Sequence, residues 1–439
     1  MKVRSNGDLV PHLTGTCSRH CKICLEVCPF FKGLHDPREK NIECFGPPSE
    51  NLKSSIQSIQ QNQVSFHNDA GWYLRSIVGY SENHRPGSAS GGLLTMVLEK
   101  LLTTNKVDRV AVVGNSLPDN GSLFHFKSVS SVNELRACAG SVYYPVEISH
   151  LVREMVERPT VRWAVVGVPC LCAALRKAVS LLPKLQHSVQ YILGMACGMY
   201  QNRMYTEMLI KASGLIPEDV TKVKYRVKNT KGPANNFGFN AETQQGKEGK
   251  LIPYHGLPFF LGSNAYFRCN ACNFCKDVFA ENADACFMDA WLPEYLSDPK
   301  GASLVLIRNS SLDRLFTEVD EEKNGLVIKD ISIERLVSSQ FGHIRRKRQL
   351  INLRMGEKVD GFKCTDHFEW WLQRCTQNRS KMAWACFGRK YGIGLFWLAM
   401  SDLLIIQKGY LLLKIVFRFP LRLKRKIIGL KIKGGVFGE

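Results

Sequence analysis

Val161-Arg162-Trp163-Ala164-Val165-Val166-Gly167-Val168-Pro169-Cys170 is the stretch on which the fold turns. Its apolar run has the length and β-branched content of a strand buried on both faces. Val168-Pro169 then ends the strand, because proline cannot donate to a sheet ladder and suits the first turn of a helix. The apolar spacing that follows predicts a helix through Lys177. The same unit recurs on either side. Upstream, Ser90-Gly91-Gly92 opens an apolar-periodic helix, Leu93 to Leu102, and a strand follows over Asp108 to Gly114. Downstream, Val189 to Ala196 is a third apolar strand, ending at Cys197-Gly198 before a helix over Tyr200 to Ser213. Strands alternating with helices predict an α/β fold: a mostly parallel sheet with flanking helices. Residues 221–255 read as β-hairpins around a polar loop, and Ser303 to Arg308 as one more strand.

The cysteines lie largely outside that pattern. The chain has 16, and two groups are tightly spaced: Cys17-x3-Cys21-x2-Cys24-x3-Cys28-Pro29 and Cys269-x2-Cys272-x2-Cys275. Met1 to Pro11 is polar and lacks the apolar segment of an export signal, so a cytoplasmic location with reduced thiols is expected. Clustered thiols then read as metal or cluster ligands. A cubane cluster needs four soft thiolates. Cysteines two residues apart on a tight turn reach three corners of one cube, and the fourth comes from elsewhere in the fold. A Cys-Pro at the end of the first group is the bacterial ferredoxin habit, in which the last cysteine serves the other cluster.

One or two 4Fe–4S clusters are therefore expected. Cys17, Cys21 and Cys24 would hold one, Cys269, Cys272 and Cys275 the other, with Cys28 crossing over. Cys170, Cys197 and Cys286 are candidates for the missing thiolate, since each stands near a strand end or turn. Zinc also accepts paired Cys-x2-Cys, and two pairs would close one tetrahedral site. The first gap, of three residues where ferredoxins have two, leaves Cys17 either on a longer turn or outside the ligand set. Cys44, Cys138, Cys172, Cys364, Cys375 and Cys386 read as bystanders.

The net charge of +20 suggests nucleic acid until its distribution is considered. Residues 341–439 hold 21 Lys or Arg against 6 Asp or Glu, so +15 of the excess sits in the last 99 residues. The body is close to balanced, and no nucleic-acid partner is expected. The tail is apolar over Tyr391 to Met400, Leu403 to Ile406 and Leu411 to Phe417, but Asp402, Lys408 and Lys414 interrupt it. No run reaches the ~20 apolar residues of a membrane span. Its basic flanks, Arg345 to Arg348 and Arg422 to Lys426, suit a helix lying on an anionic membrane or packed on the body. The expected division is a ferredoxin-like 4Fe–4S segment over 1–60, α/β regions over 71–150 and 151–320, and a basic amphipathic helical tail over 321–439. Residues 47–70 are polar and read as a linker or exposed helix.

These residues together resemble a known family. Ser90-Gly91-Gly92 before a helix, Ala139-Gly140-Ser141-Val142-Tyr143, Val166-Gly167-Val168-Pro169-Cys170 and Gly194-Met195-Ala196-Cys197-Gly198 occur in order after the ferredoxin-like start. Cys272 and Cys275 follow, leading through Asp277 and Ala283-Asp284 to Asp289-Ala290-Trp291. Over residues 17–310 the chain is similar to the beta subunit of coenzyme F420 hydrogenase/dehydrogenase, a family that includes 7-hydroxymethyl chlorophyll a reductase. It departs from the family at Leu171, where glutamine is frequent, and at Met288, where glycine is.

The resemblance implies an α/β flavoprotein carrying FAD and one or two 4Fe–4S clusters, with a ferredoxin or a deazaflavin as electron donor or acceptor and a small-molecule substrate. It assigns FAD to Ser90, Gly91, Gly92, Gly140, Ser141, Tyr143, Gly167 and Pro169. Ser90-Gly91-Gly92 at a helix N-terminus could cradle the pyrophosphate, or be a simple turn and cap. Tyr143 could stack on the ligand or sit in the core. Asp277, Asp284 and Asp289 stand near the second cysteine group, where carboxylates either meet a ligand or cap turns. The expected activity is an oxidoreductase. An electron-transfer subunit without its own substrate site, or a zinc-stabilised binding protein, are the alternatives.

Overall fold

The computed structural model describes residues 2–3, 7–12, 15, 21–31, 35–45, 64–116, 122–263, 266–317, 325–349 and 351. Cys17 and the apolar and basic stretches of the tail beyond 351 lie outside the described residues. A mixed eight-stranded sheet forms the centre of the molecule. In chain order the strands are β1 (Arg75–Ser81), β2 (Arg109–Asn115), β3 (Phe124–Val129), β4 (Trp163–Gly167) and β5 (Val189–Met195). A small sheet follows, of β6 (Val220–Val227), β7 (Gly238–Thr243) and β8 (Ile252–Pro253). The large sheet is completed by β9 (Ala285–Asp289), β10 (Ser303–Ile307) and β11 (Leu326–Asp330).

The spatial order is β11-β1-β10-β9-β5-β4-β2-β3. The four neighbours β9, β5, β4 and β2 are mutually parallel, and the remaining pairs are antiparallel. Five strands (β1, β2, β4, β5 and β9) thus point the same way, and their carboxyl ends share one edge of the sheet. Ligands of open α/β sheets collect along that edge.

Strict alternation explains how one sheet feeds two cores. Trp163 and Val165 of β4 face one core, while Ala164 and Val166 face the other. Helix α1 (Leu93–Thr103) covers the second face with Leu93, Met96, Val97 and Leu101. Helices α2 (Ser149–Glu157) and α3 (Pro169–Leu181) cover the first, together with Ile333, Leu336 and Val337. At Gly194 of β5 an added Cβ would overlap the Cβ of Ala280, so glycine lets the 278–283 loop lie flush on the sheet. A separate aromatic core joins α4 (Arg203–Ala212) to the small sheet. There Tyr225 packs edge-on to Phe239 at 5.7 Å and Tyr205 lies 5.7 Å from Phe267.

Two departures from expectation have local causes. Within the polar stretch 47–70, Ser65–His67 pairs with Gly71–Tyr73 as a hairpin, held by Phe66 on Trp72 at 5.1 Å and by the Asp69 N–H on His67 Nδ1 at 3.0 Å. Strand β9 lies just after the second cysteine group, where no strand is read from the sequence, because five residues are too few to show a period. Among the described residues, no helix is long and apolar enough to cross a membrane.

Candidate functional site

Two of the aligned strand ends deliver thiols to the shared edge. Cys170 is the second residue of α3, directly after β4, and Cys197 follows β5 with its N–H on the Val278 carbonyl at 3.0 Å. The second cysteine group supplies three more from a short 3₁₀ turn, Asn270–Phe274, with Cys269 before it and Cys275 after it. Tyr200 clamps that turn: its carbonyl accepts the Cys269 N–H at 3.0 Å, and its own N–H donates to Cys272 Sγ at 3.2 Å.

These thiols share one nest. Burial pushes the Cys170 thiol well above its ordinary range, and Cys275, Cys272 and Cys197 push it further. Cys197 is pushed up to about 12, by burial first, with Lys347 opposing and Cys272 and Cys275 adding. Cys275 is raised by burial against the pull of Lys347. Lys347 is 2 % exposed, and its Nζ donates to the Asp277 carbonyl at 2.5 Å and to Cys275 Sγ at 3.4 Å. Among the described residues it pairs with no carboxylate.

Buried ammonium among neutral thiols is costly, and the cost falls when the sulfurs carry charge. That donor set, soft sulfur with a buried cation, fits an iron–sulfur cluster. Among the described residues no three His, Cys, Asp or Glu side chains are gathered tightly enough to grip one metal ion. A single zinc would want its sulfurs about 4 Å apart, from Zn–S bonds of ~2.3 Å; a cubane is a larger body and needs them wider. Of the remaining expected ligands, Cys21 and Cys24 are exposed around the short helix Ile23–Glu26 and Cys28 is half-buried. Cys286 lies fully buried on β9, in the core under the nest.

The first cysteine segment reaches the second through its downstream end. His35 N–H donates to the Phe274 carbonyl at 2.7 Å, and Lys276 N–H donates to the His35 carbonyl at 3.0 Å. Behind this seam lies a buried polar layer. His35 Nε2 stands 3.8 Å from Asp277 Oδ2, and the Glu281 N–H donates to both Asp277 oxygens at 3.2 and 3.3 Å. Burial lowers the His35 pKa, against Asp277. Glu281, fully buried and paired with Arg348, is pushed up to about 7 by burial and by Asp277.

A carboxyl raised above its unfolded value binds protons preferentially in the folded state. Its favourable contribution is complete below the unfolded pKa of about 4.5 and is lost as pH rises through about 7. The stability of Glu281→Gln relative to the natural chain should therefore rise between those pH values. Denaturant midpoints measured across the window check this, and a constant difference would refute it.

The residues assigned to FAD by resemblance fall into three places. Gly91 and Gly92 are explained by packing: an added Cβ would stand 2.6 Å from the Ser303 nitrogen and 2.7 Å from the Arg85 nitrogen, and Gly92 has φ +80°. Ser90 Oγ donates to the Ala302 carbonyl at 2.6 Å and borders a small cleft with Arg226, Lys228, Asp289 and Trp291. There Arg226 donates to both Asp289 oxygens at 2.9 Å, between Phe237 and Trp291. Lys228 donates to the Arg85, Ser90 and Lys300 carbonyls, and burial brings it down to about 8.

Gly140 is exposed with φ +131°, and Tyr143 packs edge-on to Tyr225 at 5.3 Å. Gly167 and Pro169 form the β4–α3 corner that presents Cys170. Tyr144 borders a cavity of about 1130 Å³, lined also by Asn115, Phe124, His125, Val146 and Arg203 among others. The Tyr200 hydroxyl accepts the Val146 N–H at 2.7 Å and donates to the Tyr144 carbonyl at 3.1 Å, so one residue ties the cavity wall to the nest. Spacing arguments missed Tyr200, Arg226 and Lys347, since none belongs to a motif; the only signal for Lys347 was its place in a basic run.

Family models for the N-terminal and C-terminal parts of the coenzyme F420 hydrogenase/dehydrogenase beta subunit match residues 76–153 and 161–332. The chain belongs to this beta-subunit family. All five nest cysteines lie inside the family match, whereas the first cysteine group and Lys347 lie outside it. A curated relative, the coenzyme F420-dependent sulfite reductase of Methanocaldococcus jannaschii, is 25% identical over 353 residues, covering 76% of this chain and 51% of the relative. The chain thus spans about half the length of that relative. Among solved structures, a chain of the F420-reducing [NiFe] hydrogenase complex from Methanosarcina barkeri matches with a TM-score of 0.50 and 18% identity, over 67% of this chain and 97% of that one. At that identity the likeness is one of fold.

Proposed function

We propose that this chain is an iron–sulfur flavoprotein oxidoreductase that moves electrons between a ferredoxin-like or deazaflavin carrier and a small-molecule substrate. The observation that carries the reading is the nest itself: five cysteines from three separate elements, gathered with a buried lysine at the edge where α/β sheets bind ligands. Cys170, Cys197, Cys272 and Cys275 would hold a 4Fe–4S cluster, with Cys269 as a further thiol beside Cys272. Bound there, the cluster supplies single-electron steps and a flavin the exchange between one and two electrons.

The cavity beside Tyr144 supports a place for FAD. Its volume of about 1130 Å³ exceeds what a small metabolite fills, and its wall mixes aromatic rings with polar groups, including a buried, unpartnered Asn115 Oδ1. Tyr200 bonds both that wall and Cys272, so a flavin in the cavity and a cluster in the nest would be held by one residue. The relative's greater length favours a second reading, in which this chain feeds electrons to a partner enzyme. The test is anaerobic purification with an absorption spectrum and with iron, sulfide and flavin quantified per chain. About four or eight irons together with FAD are expected. A colourless protein, or one holding zinc in place of iron, overturns the proposal.

A further inference from the structure

Lys347 enters the nest from a part of the chain that the family match does not reach. It sits on one π-helical turn, Arg345–Gln349, within the run Arg345-Arg346-Lys347-Arg348. Such a run ordinarily forms a solvated face, yet here the lysine turns inward and its neighbours brace the turn from outside. Arg346 donates to the Ser263 carbonyl at 3.3 Å. Arg348 donates to the carbonyls of Lys276 at 3.2 Å and Asn68 at 2.8 Å, and pairs with buried Glu281. His343, just before the turn, abuts Gly198, where an added Cβ would overlap its ring. The ammonium is thereby held 3.4 Å from Cys275 Sγ, with the Asp277 carbonyl at 2.5 Å fixing its direction.

We infer that Lys347 is a positioning residue for the cluster, a fixed cation and hydrogen-bond donor at a ligand sulfur that raises the cluster's reduction potential. The inference rests on the cluster reading above. Reduction adds an electron to the iron–sulfur unit, and a positive charge in a water-poor site favours the more negative state. A donor aimed at a ligand sulfur withdraws electron density in the same sense. The basic run would then set the electrical poise of the centre, and the tail it begins would not be needed for that.

Two variants of the full chain separate charge from hydrogen bonding: Lys347→Met removes both, and Lys347→Gln keeps a donor without charge. Each is purified anaerobically, assayed for iron and sulfide, and titrated against potential with the reduced cluster followed by electron paramagnetic resonance. The expected result is wild-type iron content and a midpoint displaced to more negative potential in both, furthest in Lys347→Met. An unchanged or more positive midpoint at full iron content overturns the inference, as does loss of iron from both variants, which would make Lys347 a clasp. Wild-type protein without iron would instead overturn the cluster reading.

Discussion

Replacing Cys272 by serine will cost the anaerobically purified chain about one cluster of iron, roughly four atoms, and the matching visible absorption. Cys272 is the middle thiol of the 3₁₀ turn and the one that takes the Tyr200 N–H at 3.2 Å. A serine hydroxyl keeps the turn and can accept that bond, so the backbone has little reason to move. What changes is the donor, from soft sulfur to a hard oxygen that stays protonated at neutral pH. Cys275 is buried and Cys170 and Cys197 are half-buried, and burial favours their protonated form unless metal holds them all at once. Cys172→Ala is the control. It lies two residues from Cys170 but packs in the core with its thiol toward the Gly167 carbonyl, and should retain full iron. Full iron in Cys272→Ser would refute the ligand assignment.

Arg308→Met should strongly destabilise the body of the protein. Arg308 is 4 % exposed and donates to five main-chain carbonyls: Trp72 at 3.1 Å, Ala70 at 3.0 Å, Phe279 at 3.2 Å, Ala280 at 3.2 Å and Ala283 at 3.3 Å. It thus ties the hairpin before β1 to the loop that carries Asp277 into the nest. Methionine fills much of the volume but removes all five donations; the Ala280 carbonyl keeps the Ala283 N–H at 2.8 Å, and each carbonyl left buried without a donor costs about 1–3 kcal/mol. The losses overlap because the loop relaxes, so we expect roughly 4 kcal/mol in total. The midpoint of denaturant unfolding is the measurement, and a loss below about 1 kcal/mol would contradict the account. Iron content should fall with it, since the displaced loop borders Cys197 and Cys275.

Repetition made the sheet readable. Trp163–Gly167 and Val189–Met195 are apolar along most of their length because parallel strands between helices are buried on both sides, and both are legible to within two residues. The antiparallel margins were not. β3 and β11 are short edge strands with mixed composition, Phe-His-Phe-Lys-Ser-Val and Leu-Val-Ile-Lys-Asp, which match a turn-rich loop as well as a strand. At the site, spacing found the second cysteine triplet, and strand ends suggested Cys170 and Cys197. Nothing local could show that residues 275 and 347 meet, because that depends on how distant segments gather at the sheet edge. At Gly91 and Gly92 residue type suggests a ligand cradle, and the contacts add a packing demand for glycine at the same two positions.

The nest draws on His35, Cys170, Cys197, the 269–277 turn and Lys347, so its parts leave the ribosome far apart in time. At ~5–20 residues per second, the interval between Cys170 and Lys347 is on the order of ten seconds or more. Through that interval a growing polypeptide carries unsheltered thiols with no closing turn to cover them. On the cluster reading, iron would enter after synthesis of this region is finished, and a product interrupted before residue 345 would leave the nest thiols without Lys347 beside them.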